Sequence, residues 1–138
     1  MGHRLAPSLF VLEYVEPLRQ WNKVWSSDPC ASDLYYRDPV TNMMRDLSLS
    51  VYVDDVAKLL IALGKGSASA LVAHSVRVAH SLEDHMQGPG YALNPTKAMS
   101  VLGLRGPQAA NMIRQCTMGK VEVYGKTCWQ ARYLGPQI

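Results

Sequence analysis

Between Leu47 and Val53 apolar and polar side chains alternate without a break: Leu47, Leu49, Val51 and Val53 against Ser48, Ser50 and Tyr52. A β-strand repeats its side-chain direction every two residues, so this run predicts a strand with one buried face. The alternation stops at Asp54-Asp55. A second apolar run follows, Val56-Ala57-Lys58-Leu59-Leu60-Ile61-Ala62-Leu63, and ends at Gly64-Lys65-Gly66. Two strands joined by a two-residue polar turn make a hairpin, here with two carboxylates at its tip.

The segments around it mix helices with further strands. Leu9, Leu12, Val15 and Leu18 recur every three residues, and Trp21 and Trp25 continue the stripe, so the spacing predicts a helix from Pro7 to Trp25. Pro17 is expected to end or kink it near Glu16. Residues 26–41, with Asp28-Pro29 and Asp38-Pro39, read as a loop. Ser67 is a suitable N-cap for a helix that runs to about Gln87 with Leu71, Ser75, Val78, Leu82 and Met86 on one stripe, widened by Val72, Val76 and Ala79, and ended by Gly88-Pro89-Gly90. Tyr91–Leu93 and Met99–Leu104 are expected to be short strands about a bend at Asn94-Pro95-Thr96. A helix is expected from Pro107 to Met118, burying Met112, Ile113 and Cys116. Val121 and Val123 alternate as in a strand, Gly125-Lys126 turns, and Trp129 to Leu134 is read as the partner strand. Helices and hairpins interleave, which predicts an α+β fold rather than a doubly wound sheet.

With 138 residues, one domain's core is the upper limit, and no repeat or linker divides the chain. At 48% hydrophobic and 18% charged residues, wholesale disorder is excluded. No stretch of about 18 apolar residues occurs, so no transmembrane helix is expected. The net charge of +3 permits a polyanionic partner without demanding one. Cys30, Cys116 and Cys128 are odd in number and lack CxxC or CxxH spacing, which argues against a disulfide framework or structural zinc and for an intracellular setting, nuclear or cytoplasmic. Leu5 to Leu12 has a signal-like apolar character, but Glu13 and Glu16 interrupt it and no small-residue cleavage site follows. His74, His80 and His85 are spaced by six and five, not by the four that a helical metal pair needs, and read as surface or boundary residues. The tryptophans read as core or interface anchors.

Paired carboxylates on a rigid apolar hairpin are hard oxygen ligands of the kind that suits Mg²⁺, which is commonly held by one or two carboxylates together with substrate phosphates. An exposed Asp-Asp turn also forms without any function, because Asp is a common turn residue. Three further motifs accompany the pair. Tyr52-Val53-Asp54-Asp55 resembles the YxDD box of reverse transcriptases. Gly90-Tyr91-Ala92-Leu93-Asn94-Pro95-Thr96-Lys97 is similar to the G-hydrophobic-x-LN-x-x-K element of the non-LTR retrotransposon and group II intron branches. Arg132-Tyr133-Leu134-Gly135 with Ile138 is similar to the YLG-x-x-I box. Pro7-Ser8-Leu9-Phe10 followed by Glu16-Pro17-Leu18 resembles the SP-x-LF…PL segment. All four fall in family order and span nearly the whole chain.

The resemblance implies one partial polymerase palm domain over residues 1–138: an antiparallel sheet with the YxDD hairpin packed on helices. It implies template-directed DNA synthesis, with RNA template, DNA primer and deoxynucleoside triphosphates as partners. Asp54 and Asp55 would be metal ligands for Mg²⁺ or Mn²⁺, and a two-metal site would activate the primer hydroxyl and clamp the leaving oxygen. Lys97 would approach the nucleotide phosphates as general acid or charge stabiliser. Tyr52, Tyr133, Leu134 and Gly135 would support the primer and substrate. The alternative for Lys97 is a solvated turn lysine; for Tyr133 to Gly135 it is strand packing.

There are departures from the pattern. A two-metal site needs a further carboxylate, which in the family precedes the SP-x-LF segment, where Gly2-His3-Arg4-Leu5 stands here. Asp33 imitates that box but lies on the wrong side in chain order. Asp46 lies about seven residues below the tip, roughly 20 Å or more along a strand. Lys58 replaces a usual apolar residue and is placed to pair with Asp54 or Asp55 in competition with metal. The chain is therefore expected to be a palm portion without polymerase activity of its own. A different class of function stands beside it: a non-catalytic remnant serving as a small folded or protein-binding module, with Trp21 and Trp25 left uncovered as an apolar patch.

Overall fold

The structure is a computed structural model that describes residues 6–25, 27–30, 34–52, 55–62 and 67–128. The chain divides into two compact units, Met1–Ala62 and Leu63–Ile138. Among the described residues there are three helices and three two-stranded sheets, an α+β architecture.

The first unit opens with α1, Ala6–Val24. Of the two expected effects of Pro17, ending or kinking the helix, the first does not occur: Pro17 lies inside α1. Its ring removes one N–H from the ladder, but the helix continues through a buried proline and delivers Leu18 and Trp21 to the core. Trp21 is only 1% exposed, so it forms no open patch.

Within residues 26–41, expected to be a loop, lies β1 (Tyr35–Arg37), which pairs antiparallel with β2 (Met44–Asp46) just beyond it. The turn between them contains Asp38-Pro39, one of the two turn formers read from the sequence. Asp38 accepts the Val40 N–H at 2.9 Å and the Asn42 N–H on its carbonyl at 2.8 Å, and Asn42 takes the left-handed conformation with φ 57°. What the pattern missed is that Asp-Pro punctuation here sits inside a hairpin rather than between elements.

β3 (Leu49–Tyr52) and β4 (Asp55–Lys58) form the expected antiparallel hairpin, with Leu49 opposite Lys58, Val51 opposite Val56 and Tyr52 opposite Asp55. Two corrections apply. Asp55 is the first residue of β4 rather than a turn residue, and β4 ends at Lys58 rather than running to Leu63. The burial is also shallower than alternation predicts: Leu47 precedes β3 and is 61% exposed, and Val51 is exposed. A two-stranded sheet covers only part of each face, so period two fixes direction without guaranteeing burial. Val53 and the Gly64-Lys65-Gly66 stretch lie outside the described residues.

The second unit is organised on α2, Ala68–Gln87. Ser67 caps it as expected, its Oγ accepting the Ala70 N–H at 3.2 Å. Val72, Val76, Val78 and Met86 are its buried side chains. After the turn at residues 88–90, Tyr91–Leu93 is not a strand: the Tyr91 N–H is given to Met86 O, which closes the helix end instead of joining a ladder.

β5 (Met99–Val101) pairs with β6 (Lys126–Cys128) in parallel, and α3 (Ala109–Thr117) lies between them in the chain. This corrects the wholly antiparallel expectation. Parallel neighbours need a crossover, and α3 provides it. Ala109 and Cys116 are its buried residues, while Met112 and Ile113 are half-buried. Val121 and Val123 form no strand; their neighbours Glu122 and Tyr124 bond to α2 through their side chains. Gly125 reaches φ +73° directly against Ala98, and its neighbour Lys126 gives its N–H to Ala98 O. The expected return strand from Trp129 to Leu134 lies outside the described residues. No described helix is long and apolar enough to cross a membrane.

Candidate functional site

Asp55 and Tyr52 are cross-strand partners where the β3–β4 hairpin reverses, and the Asp55 side chain is exposed. Asp54, the residue before it, lies outside the described residues. So do Tyr133, Leu134 and Gly135, and also Asp33 and the Gly2–Leu5 segment. Lys97 belongs to the second unit. It is exposed in the turn of residues 94–97, where Asn94 organises the backbone by accepting the Thr96 N–H at 3.1 Å and the Thr96 hydroxyl at 2.6 Å; Lys97 returns its N–H to Asn94 O. That is the bend read from Asn94-Pro95-Thr96. The structure thus brings Tyr52 and Asp55 together.

Lys58 does not compete for Asp55. The two are three residues apart on one strand, so they project from opposite faces. Lys58 turns to the face shared with Leu49, toward α1. Its ammonium donates to Ser48 Oγ at 2.6 Å and to Asn22 Oδ1 at 3.3 Å, and lies 5.8 Å from the Trp21 ring centroid, within cation–π range. The Ser48 hydroxyl donates onward to Asp46, and Asn22 Nδ2 donates to Asp46 Oδ2 at 3.0 Å. Lys58, Ser48, Asp46 and Asn22 therefore close a ring of hydrogen bonds at the foot of the hairpin.

The electrostatics follow from that ring. Burial lowers the Lys58 ammonium from its ordinary value, against the opposing pull of Asp46 and Asp28. For Asp46, burial alone would raise the carboxyl. The Ser48 hydroxyl, the Asn22 amide, the Ser48 N–H and the Lys58 charge outweigh it and hold the group below its ordinary value. Sequence reading flagged Lys58 and Asp46 separately, and the signal that joins them is the register: Lys58 pairs with Leu49, the residue after Ser48.

The Asp55 side chain is exposed at the start of β4, on the face away from Lys58. Asp46 is not a further ligand, because Ser48 and Asn22 already occupy its oxygens. A two-metal site would need Asp54 and one more carboxylate beside Asp55.

Comparison with family models, with curated proteins and with solved structures finds no match.

Proposed function

We infer that this chain is the palm portion of a reverse transcriptase of the non-LTR retrotransposon or group II intron type. The observation that carries this inference is the hairpin register: Tyr52-Val53-Asp54-Asp55 spans the reversal between β3 and β4, with Tyr52 opposite Asp55. Lys58 adds support, since its bonds to Ser48 and Asn22 leave Asp55 on the other face.

In this reading Asp54 and Asp55 hold Mg²⁺ or Mn²⁺ once a further carboxylate completes the site, and the metal supplies activation of the primer hydroxyl and charge neutralisation at the phosphates. The protein's own contribution is positioning. The paired backbone of β3 and β4 positions Asp55 at the start of β4, because the register from Leu49–Lys58 to Tyr52–Asp55 is continuous. Lys97 on its Asn94-organised turn supplies a cation for triphosphate, and Tyr133, Leu134 and Gly135 support the primer end. RNA template, DNA primer and deoxynucleoside triphosphates are the partners.

The test is Mn²⁺ titration of the wild-type chain and of Asp54→Asn, read by paramagnetic relaxation. Weaker binding by the variant is expected, and equal affinity would remove the metal role. Primer extension by the 138 residues alone is expected to yield no product, for want of the further carboxylate; incorporation would overturn that expectation.

A second reading, a protein-binding module without catalysis, is favoured by a different observation. The β1–β2 hairpin and the residues just after it expose Val40, Met43, Met44 and Leu47, with Val40 90% exposed.

A further inference from the structure

His80 on α2 is held between two carboxylates, one at each ring nitrogen. Nδ1 is 2.9 Å from Glu83 Oε2 on the same helix, and Nε2 is 3.1 Å from Glu122 Oε1 on the connection from α3 to β6. Tyr124, two residues further along that connection, donates its hydroxyl to the other oxygen of Glu83 at 2.7 Å. Its ring also meets the His80 ring edge-on, at a centroid distance of 5.7 Å and an interplanar angle of 87°.

A neutral imidazole has one N–H and one lone pair, whereas a carboxylate offers acceptors only. Two carboxylates, one at each nitrogen, are both satisfied only by the imidazolium. We propose that His80, Glu83, Glu122 and Tyr124 form a proton-controlled latch, closed when the imidazole is doubly protonated, that ties the α3–β6 connection to α2.

The groups that face His80 are Glu83 from its own helix and Glu122 and Tyr124 from the connection. When the ring loses a proton it keeps N–H at Nδ1, the shorter contact, where Glu83 is further fixed by Tyr124. Its Nε2 lone pair then faces the Glu122 carboxylate and repels it. The Glu122 arm opens while the Tyr124–Glu83 bond stays.

The pH window follows from the shifts. The bonds to Glu83 and Glu122, against the opposing effect of burial, raise His80 above its ordinary 6.5. That contribution to stability is complete below 6.5 and is lost as pH rises through the raised value. Glu83 is lowered from 4.5 by the His80 and Tyr124 bonds, so its contribution is present above 4.5 and disappears as pH falls through the lowered value. Burial and Glu83 push the Tyr124 phenol up, which keeps its proton in the bond throughout. The latch is closed between these two limits.

¹⁵N NMR of the His80 ring in the full chain, from pH 5 to 9, tests the proposal. A titration midpoint above 6.5 is expected, with the neutral form carrying its proton on Nδ1, and the midpoint falls in Glu122→Gln. In parallel, the unfolding equilibrium constants of wild type and His80→Gln are compared at pH 6 and pH 9. Their ratio is expected to change about two- to fivefold, the range of an exposed ion pair. Since His3, His74 and His85 are common to both chains, the ratio isolates His80. A midpoint at or below 6.5, a neutral form protonated on Nε2, no response to Glu122→Gln, or a ratio flat in pH would overturn the latch.

Discussion

Asp46 shows how much one carboxylate organises in a small unit. It accepts the Ser48 N–H at 2.8 Å, the Ser48 hydroxyl and the Asn22 amide, and it closes the ring that holds Lys58. Because its folded-state value lies below the ordinary 3.8, the unfolded chain binds more protons in acid. Stability from this group is therefore complete above 3.8 and is lost as pH falls through the lowered value. Asp46→Ala leaves the Ser48 and Asn22 donors without an acceptor, and a loss of about 1–3 kcal/mol at pH 6 is expected. Urea unfolding at pH 2.5, 4 and 6 checks both points: the variant should be less stable at pH 6 and should lose part of the wild-type dependence on acid. Equal stability at pH 6 would show that the ring is ornamental. None of this was visible in a residue pattern, because Asn22 and Lys58 are distant in sequence from the Asp46–Ser48 pair and all four are ordinary in type. Asp46 read only as a carboxylate too far from the tip to bind metal.

At the scale of elements, what was legible divides by mechanism. α2 was readable to within a residue at each end because two independent signals agree, a Ser67 cap and an apolar stripe ended by Gly88-Pro89-Gly90. The β3–β4 hairpin was readable because alternation is a local property; its turn was misplaced by one residue, since Asp55 has the polarity of a turn residue and the pairing of a strand residue. β6 was missed because three residues carry too little pattern, and the Val121–Val123 strand was overcalled because side-chain bonds to α2 replaced ladder bonds. The β5–β6 pair depends on Gly125. A Cβ there would collide with the Ala98 backbone, and φ +73° disfavours any L side chain. Gly125→Ala is expected to cost about 1–3 kcal/mol, the scale of local backbone strain. Chemical denaturation measures the loss, and amide exchange at Lys126, whose N–H bonds Ala98 O, should rise with it. An unchanged denaturation midpoint would mean that the chain turns there in some other way.

For the whole molecule, the α+β class followed from the order of helices and hairpins, while the division at Ala62 and Leu63 falls just before Gly64-Lys65-Gly66-Ser67, a stretch that reads as the end of the second apolar run and a helix cap rather than as a boundary between units. Charge is the property at this scale that bears on nucleic-acid partners. A net charge of +3 is small beside the phosphates of a primer–template duplex, so any affinity must come from a few placed cations rather than from a general basic field. Each lysine or arginine that neutralises a phosphate of a duplex releases counterions, and the logarithm of affinity then falls with the logarithm of salt by about 0.9 per contact. An RNA–DNA hybrid carrying a fluorophore, titrated with the chain between about 50 and 200 mM salt, measures that slope by anisotropy. The proposed role of Lys97, exposed on its turn, sets the expectation for Lys97→Ala: affinity falls to a similar degree for every sequence, and the slope shrinks by about 1. A slope identical in wild type and variant would take Lys97 away from phosphate and leave it a solvated turn residue. A slope near zero in the wild type would remove nucleic acid as a partner of these 138 residues and shift the weight to the exposed Val40, Met43, Met44 and Leu47 surface.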